Sequence, residues 1–209
     1  MRLQQFVLGE LEVNSYLLWD EESLEAACFD PGGPPQEIWA ELTQKKLKLK
    51  YILLTHGHYD HIGGVNELKA NTGAIVAIHA ADAEMATNPN LNLSVVFSRP
   101  IVVTPDQLLA DGDVLCLGAQ MLKINHTPGH TPGGICIATS GLLFSGDTLF
   151  AGSVGRTDLP GGDQATLDQS LQRLVQLPAE TRVFPGHGPE TTIGREKQFN
   201  PFLKQFGGE

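Results

Sequence analysis

Cysteine is scarce in this chain, with three in 209 residues: Cys28, Cys116 and Cys136. No two of them have the C-x-x-C spacing of thiolate zinc sites and redox motifs. An odd and widely spaced set also provides no disulfide framework. Free cysteine is among the most often buried residues, so we expect all three to be small buried side chains on strands, in a protein of a reducing compartment.

Basic residues and long apolar runs are also lacking. The chain has 14 Lys and Arg against 24 Asp and Glu, a net charge of −10, which disfavours a nucleic-acid partner held by phosphate contacts. No apolar run approaches the ~20 residues that span a bilayer. The first residues lack the basic region, apolar run and small-residue cleavage site of a secretory signal. The sequence therefore predicts a soluble, cytoplasmic protein with no membrane or nucleic-acid partner.

Glycine and proline are frequent, at 23 and 13, which indicates many tight turns between short elements. No repeat or linker divides the chain, so we predict one domain over residues 1–209. Periodicity predicts strands at 3–8, 12–19, 26–29, 51–54, 74–78, 114–117, 121–125, 135–139, 142–144 and 182–184. It predicts helices at 34–48, 62–71, 80–86, 163–177 and 190–199. Two sheets face to face with helices outside is the arrangement that this order favours.

The segment YILLTHGHYDHIGG, residues 51–64, carries the strongest functional signal. Its apolar start has the length of a buried strand, and its two final glycines permit a sharp change of backbone direction. Imidazole and carboxylate are the N and O donors that zinc and related metals prefer. Four candidate metal ligands follow the strand within six residues: His56, His58, Asp60 and His61.

Three later positions repeat this setting of a donor among small residues beside a strand. His130 lies in HTPGHTPGG, Asp147 in SGDT directly after one predicted strand, and His187 in PGHGP directly after another. Catalytic centres are commonly assembled from several such strand-end loops. These three residues are therefore predicted to join the first four.

This combination, H-x-H-x-D-H followed by a His, an Asp and a final His, resembles the metallo-β-lactamase-fold superfamily. The resemblance spans the chain from the Asp30-Pro31-Gly32 turn to His187. It implies an α/β fold, a four-layer αββα sandwich of two mixed β-sheets flanked by helices. It also implies two divalent metal ions, zinc by preference with iron or manganese as alternatives. The first metal would be held by His56, His58 and His130, the second by Asp60, His61 and His187, and Asp147 would bridge them.

The implied chemistry is hydrolysis. Two metals lower the pKa of a shared water enough to supply hydroxide at neutral pH, and they polarise the carbonyl that it attacks. Asp60 is the predicted catalytic residue, orienting the hydroxide or accepting its proton besides binding metal. No serine or cysteine lies in a convincing triad setting. Esters, thioesters and lactams all suit this chemistry.

The segment from Thr148 to Asp163 resembles the glyoxalase II branch, especially its short bacterial members. That branch cleaves the thioester S-lactoylglutathione, and a basic residue of this region binds the glutathione carboxylate. Arg156 holds the corresponding place, and its guanidinium suits bidentate carboxylate binding. The C-terminal helical domain of full-length glyoxalase II has no counterpart before the end of the sequence. Arg195 and Lys197 on the last predicted helix are possible substitutes for its glutathione contacts.

A second branch of the same fold, the persulfide dioxygenases, has a closely similar Gly-Arg-Thr-Asp segment. By that resemblance a single iron would be held by His56, His130 and Asp147. The sequence leaves this alternative open beside the thioesterase. A nuclease is disfavoured by the negative charge, and a non-enzymatic binding module by the complete donor set.

Two histidines and one loop are left over. We expect His79 to be a structural histidine with a hydrogen-bond partner, and His126 to bond near the ligands rather than to a metal. The irregular stretch from Thr87 to Pro105 is long for a compact domain, which favours a functional role such as a flap over the site.

Overall fold

A computed structural model describes residues 1–206, and the last three residues of the predicted domain, 207–209, lie outside the described part. Six strands form the first sheet in chain order. These are β1 (Arg2–Leu8), β2 (Val13–Trp19), β3 (Glu25–Phe29), β4 (Lys48–Leu53), β5 (Ile75–His79) and β6 (Gln107–Leu109). The first three strands pair antiparallel and β3 to β6 pair parallel, so the sheet is mixed.

A second six-stranded sheet is built from the C-terminal half. It contains β7 (Val114–Leu117), β8 (Gln120–His126), β9 (Ile135–Thr139), β10 (Leu142–Gly146), β13 (Arg182–Pro185) and β14 (Thr191–Thr192), in the order β14-β13-β10-β9-β8-β7. Only β10 and β13 pair parallel. A separate hairpin of β11 (Leu149–Phe150) and β12 (Ser153–Val154) follows β10.

The helices cover the outer faces of the two sheets. They are α1 (Gln36–Lys45), α2 (Tyr59–Ile62), α3 (Val65–Thr72), α4 (Ala83–Thr87), α5 (Gln164–Leu174) and α6 (Ile193–Phe199), with short 3-10 turns at Ala80–Asp82, Ser94–Phe97 and Lys204–Phe206. In the described part of the chain, no helix has both the length and the apolar content needed to cross a bilayer.

Three apolar clusters hold these layers together. Between the sheets, Phe29 of β3 stacks on Phe144 of β10 at 3.9 Å between ring centroids, in a cluster drawn from both sheets. Aromatic pairs of this kind contribute roughly 0.5–1.5 kcal/mol beyond the area that they bury. Ile38 of α1 packs in the cluster outside the first sheet, and Leu167 and Leu171 of α5 pack in the cluster outside the second. The αββα order of layers is therefore confirmed.

Several boundaries differ from the prediction. The helix predicted over 62–71 begins only at Val65, as α3, because Gly63 and Gly64 separate it from Ile62, the last residue of α2. The helix predicted from residue 190 begins at Ile193, after the short strand β14. Asp163 is not helical but caps α5, where its carboxylate accepts a hydrogen bond from the amide of Thr166 at 2.7 Å. The strands β6, β11, β12 and β14 were not predicted.

The prediction that all three cysteines are buried is wrong at Cys116. Cys28 and Cys136 are buried, whereas Cys116 is exposed. It lies on the edge strand β7, where alternate side chains point to opposite faces. Leu115 and Leu117 face the core between the sheets, so the side chain between them faces solvent.

Candidate metal centre

The fold brings all seven predicted metal ligands to one edge of the two sheets. After β4, the loop carries His56 and His58 and helix α2 carries Asp60 and His61, and one further donor each follows β8, β10 and β13. Their donor atoms form three groups in which every atom lies within 4.8 Å of the others. We call His56, His58 and His130 the first group and Asp60, His61 and His187 the second group; His56, His61 and Asp147 form a third group between them.

The first group consists of three buried histidines whose nitrogens converge. Nδ1 of His58 and Nε2 of His130 are 3.0 Å apart, and both rings lie 4.8 Å from the His56 ring. Nδ1 of His130 donates to the backbone carbonyl of Arg156 at 2.7 Å, so its Nε2 keeps a free lone pair toward the group. Nε2 of His56 is buried with no hydrogen-bond partner among the described residues. Such an orphaned acceptor suits a metal ion.

The second group combines two histidines with a carboxylate. Oδ2 of Asp60 lies 3.2 Å from Nε2 of His187 and 3.7 Å from Nε2 of His61. On its other side, Nδ1 of His61 lies 3.0 Å from a carboxylate oxygen of Asp30. A carboxylate behind a ligating histidine orients the ring and raises the basicity of its other nitrogen.

Asp147 lies between the two groups. Its Oδ1 is 3.4 Å from Nε2 of His61, and its Oδ2 is 3.7 Å from Nε2 of His130 and 3.8 Å from Nε2 of His187. One carboxylate oxygen thus faces the first group while both face the second. Because one group of donors lies on each side of Asp147, the cluster is suited to a dinuclear metal site. The assignment of each ligand to a particular metal stays a prediction.

Burial and charge divide the cluster into two electrostatic halves. Burial, reinforced by the other histidines, lowers the pKa of His56 well below its usual value, and burial with His130 lowers that of His58 to about 3. Burial would also lower the pKa of His61, but three carboxylates, Asp147 foremost, outweigh it and raise that pKa well above normal. His56 and His58 are therefore neutral imidazoles. In the second half a cation is expected to replace a proton on His61.

Asp30 supports the site from behind, a role that the sequence analysis did not assign. Its carboxylate accepts hydrogen bonds from the amide and the hydroxyl of Thr55, at 2.7 and 2.6 Å, besides facing His61. It thereby holds the residue before His56 and places a negative charge beside the ring of His61. The only signal in the sequence was its place in an Asp-Pro-Gly-Gly turn, which was interpreted as a turn alone.

Asp82 is a second support that the sequence analysis missed. It is fully buried, and it accepts from the amide of Gly57 at 3.0 Å, the hydroxyl of Thr131 at 2.8 Å and the amide of Gly133 at 2.5 Å. Burial outweighs these hydrogen bonds and raises the pKa of Asp82. One carboxylate thus joins the loop of His56 and His58 to the loop of His130.

Asn14 of β2 positions the loop of His187. Its amide donates to the carbonyls of Pro185 at 3.0 Å and Gly188 at 2.8 Å, on either side of that histidine. Gly186 is needed here for space, because a Cβ at this position would overlap the Asp147 carboxylate and the His61 ring. The sequence offered no signal for Asn14 beyond a polar residue in an apolar strand.

A cavity of about 640 Å³ opens above the donors. Asp60, Asp147 and His187 line it, and so do Leu93, Val96 and Phe97 from the irregular stretch predicted to cover the site. Arg156 lines it as well, with its guanidinium donating from Nε and Nη2 to the carboxylate of Asp158, both at 2.7 Å. Arg195 and Lys197 are not among the lining residues.

The two remaining histidines stack on each other outside the donor groups. The rings of His79 and His126 are 3.9 Å apart and inclined by 13°. Nδ1 of His79 accepts from the amide of Ala81, which agrees with the structural role predicted for it. His126 bonds through Nε2 to the carbonyl of Pro132 at 2.8 Å, in the loop that follows His130.

This stack predicts a pH dependence of stability. Burial, with a smaller effect of His126, lowers the pKa of His79, while Asp111 and Asp113 oppose the shift. The unfolded chain therefore takes up a proton first as pH falls below about 6.5, and the stabilising effect present above that pH is lost in acid. We expect His79→Gln to reduce the fall in free energy of unfolding between pH 7 and 5, measured by urea titration of metal-free protein. If the free energy of unfolding fell equally with pH in the variant and the wild type, His79 would not be the source of this pH dependence.

Comparison with known proteins agrees with this geometry. Residues 8–187 match the family model of the metallo-beta-lactamase superfamily. The "Probable metallo-hydrolase YqgX" of Bacillus subtilis is 38% identical, with 99% of each chain covered. The "Hydroxyacylglutathione hydrolase GloC" of Haemophilus influenzae is 35% identical, with 97% of this chain and 98% of that protein covered.

Solved structures give the same result. The crystal structure of the BLEG-1 B3 metallo-beta-lactamase superposes with a TM-score of 0.92 at 39% identity, over 97% of this chain and 99% of that one. The protein TTHA1623, crystallised in a di-iron-bound form, superposes with a TM-score of 0.86 at 38% identity, over 96% and 100% of the two chains. With its fold, its donor cluster and these relatives, the chain belongs to the metallo-beta-lactamase superfamily, as one of its metallo-hydrolases.

Proposed function

We propose that this chain is a thioesterase that hydrolyses S-lactoylglutathione or a related glutathione thioester. The proposal rests on its similarity to the hydroxyacylglutathione hydrolase of Haemophilus influenzae over almost the whole of both chains. In this reaction a water oxygen bonds to the acyl carbon and the carbon–sulfur bond breaks. The products are a carboxylic acid and a thiol, which takes up a proton.

The chain's own residues can prepare a water for this reaction. When bound, two divalent cations, zinc by preference with iron or manganese as alternatives, would supply Lewis acidity and a water of lowered pKa. Asp60 lines the cavity with one carboxylate oxygen 3.2 Å from Nε2 of His187. Burial would raise the pKa of Asp60, but His61 and His187 outweigh it and hold that pKa below normal. Its carboxylate is thus available to accept a hydrogen bond, and then a proton, from water in the cavity.

Arg156 is the proposed contact for a substrate carboxylate. Its guanidinium lies on the cavity wall and is 62% exposed, with Asp158 as its present partner. We expect Arg156→Ala to raise KM about three- to tenfold with little change in kcat, since an exposed charge-assisted contact is removed. The carbonyl that orients His130 belongs to the backbone and survives the substitution. Steady-state kinetics on S-lactoylglutathione measures both constants.

Two further variants sharpen this prediction. Asp158→Asn removes the competing carboxylate, so KM is expected to fall. Arg195→Ala is the matched control, because that side chain lies over Phe199 on α6 and does not line the cavity. If KM stayed the same in Arg156→Ala, the residue would be an ordinary surface arginine.

The alternative from a different reaction class is a persulfide dioxygenase with one iron. It is favoured by the segment Gly155-Arg156-Thr157-Asp158, and its iron would use His56, His130 and Asp147. Elemental analysis of purified protein, with parallel assays on S-lactoylglutathione, glutathione persulfide and a β-lactam, separates the candidates. Two metals per chain with thioester cleavage are expected. One iron with oxygen uptake on the persulfide, or turnover of the lactam alone, would overturn the proposal.

A further inference from the structure

Part of the cavity lining is a set of five apolar and aromatic side chains near the metal donors. We call it the apolar wall, and it consists of Leu11, Tyr59, Leu93, Val96 and Phe97. The ring of Phe97 stacks on Tyr59 at 4.1 Å, directly beside Asp60 in the chain. The wall therefore begins at the donors and extends outward along the loop after α4.

The apolar wall is held by specific contacts rather than by a loose loop. Asn92 is fully buried; its side chain accepts from the amide of Ser94 and donates to the carbonyl of Ile101, both at 3.0 Å. The ion pair between Arg99 and Glu10, at 3.1 Å, ties this loop to the turn that carries Leu11. The 3-10 turn Ser94–Phe97 lies between two residues with positive φ, Leu93 at 69° and Ser98 at 56°. Such backbone is costly for side chains other than glycine, so the surrounding structure must hold it in place.

The wall exposes apolar area that no described residue covers. Val96 is 72% exposed, Leu11 45% and Phe97 39%. Single exposed apolar residues are ordinary on a protein surface, whereas a contiguous group at the rim of a binding cavity indicates an apolar ligand.

The apolar wall itself contains no charged side chain. Arg156 is the one Lys or Arg among the lining residues, and Asp158 already pairs with it. Phe150, Val154 and Leu159 also line the cavity and add further apolar surface. A charged or strongly polar acyl group placed against the apolar wall would lose hydration without gaining a partner.

We infer that the apolar wall binds the acyl part of the thioester, and that this part is an apolar aliphatic or aromatic group. The thiol part, with its carboxylates, then extends toward Arg156. This inference rests on the proposed thioesterase activity and narrows its substrate class. Lactoyl is a small and polar acyl group, so longer apolar acyl groups are the better substrates.

A series of thioesters on one thiol tests this inference. With S-lactoyl-, S-acetyl-, S-butyryl- and S-hexanoylglutathione, kcat/KM is expected to rise with chain length, about two- to fourfold for each methylene that becomes buried. The hexanoyl-to-acetyl ratio is expected to fall severalfold in Val96→Ser and in Phe97→Ala. Val96 is largely exposed, so its replacement leaves folding intact. Met121→Ser is the matched control, since Met121 is 67% exposed on β8 outside the cavity, and its ratio should equal that of wild type.

The outcomes distinguish failure of the proposed function from failure of the proposed acyl preference. No cleavage of any thioester by the metal-loaded enzyme would overturn the proposed function itself. Cleavage of S-lactoylglutathione with a flat or falling chain-length series would retain the thioesterase and overturn the apolar acyl group. A rising series that both wall variants leave unchanged would also overturn it, because the preference would then arise elsewhere.

Discussion

Replacing Asp147 with asparagine is expected to reduce bound metal at both halves of the site and to lower thioester hydrolysis by more than about a hundredfold. Residues that only orient a ligand typically change affinity or activity by about 10–100-fold, and Asp147 faces the donors directly. Its two oxygens lie 3.4–3.8 Å from nitrogens of His130 in the first group and of His61 and His187 in the second. An amide removes the charge that two nearby cations require while keeping the shape of the side chain.

Elemental analysis and steady-state kinetics on the same preparation measure this effect. Asp60→Ala is the informative comparison, because Asp60 belongs to the second group only. That variant is expected to lose one metal and most hydrolysis, whereas the Asp147 variant weakens both metals. Asp168→Asn on α5, outside the donor groups, is the matched control and should resemble wild type. Full activity of Asp60→Ala with one metal per chain would show that the dinuclear mechanism is wrong.

Removing the buried carboxylate of Asp82 is expected to destabilise the metal-free protein by about 3–5 kcal/mol. Asp82→Ala leaves three buried donors without a partner, on Gly57, Thr131 and Gly133, and each costs roughly 1–3 kcal/mol. Urea unfolding of the apo form measures the loss. Since total stability of a domain is about 5–15 kcal/mol, this is a large share.

The same substitution is expected to weaken metal binding about 10–100-fold, because Asp82 joins the loop of His56 and His58 to the loop of His130. Asp82→Asn keeps one acceptor oxygen and should show a smaller loss of both properties. Asp168→Ala serves as the control for losing an aspartate, because its carboxylate accepts from the Gln164 side chain at the surface. We expect it to change stability by less than about 0.5 kcal/mol. If Asp82→Ala matched this control, the carboxylate would not join the two loops.

The donor set could be predicted because each donor lies in a short segment with its own turn residues. His187 is an example, because it lies between Pro185-Gly186 and Gly188-Pro189 and its own segment is enough to identify it as a candidate. Asp30, Asp82 and Asn14 could not be assigned, since their partners lie 25, 51 and 174 positions away in the chain. A buried aspartate and a surface aspartate look alike in one sequence, and only the folded chain distinguishes them.

The missed elements have a similar cause. Thr191–Thr192 and Leu149–Phe150 are strands of two residues, too short to show any periodicity. Arg156 was predicted from its side chain, but its backbone carbonyl is what orients His130, and any residue type supplies a carbonyl. The order of layers needed no such detail, because it follows from the periodicity of the longer elements.

The distribution of donors along the chain has a consequence for synthesis. All members of the first group have been translated once His130 leaves the ribosome, whereas the second group needs His187. The strand before His187, β13, pairs beside β10 only after α5 has been made, and Asn14 waits for the same segment. Because a chain emerges from its N-terminus, assembly of the two halves is ordered in time. A nascent chain therefore holds every donor of the first group, and Asp147 as well, before His187 of the second group has been made.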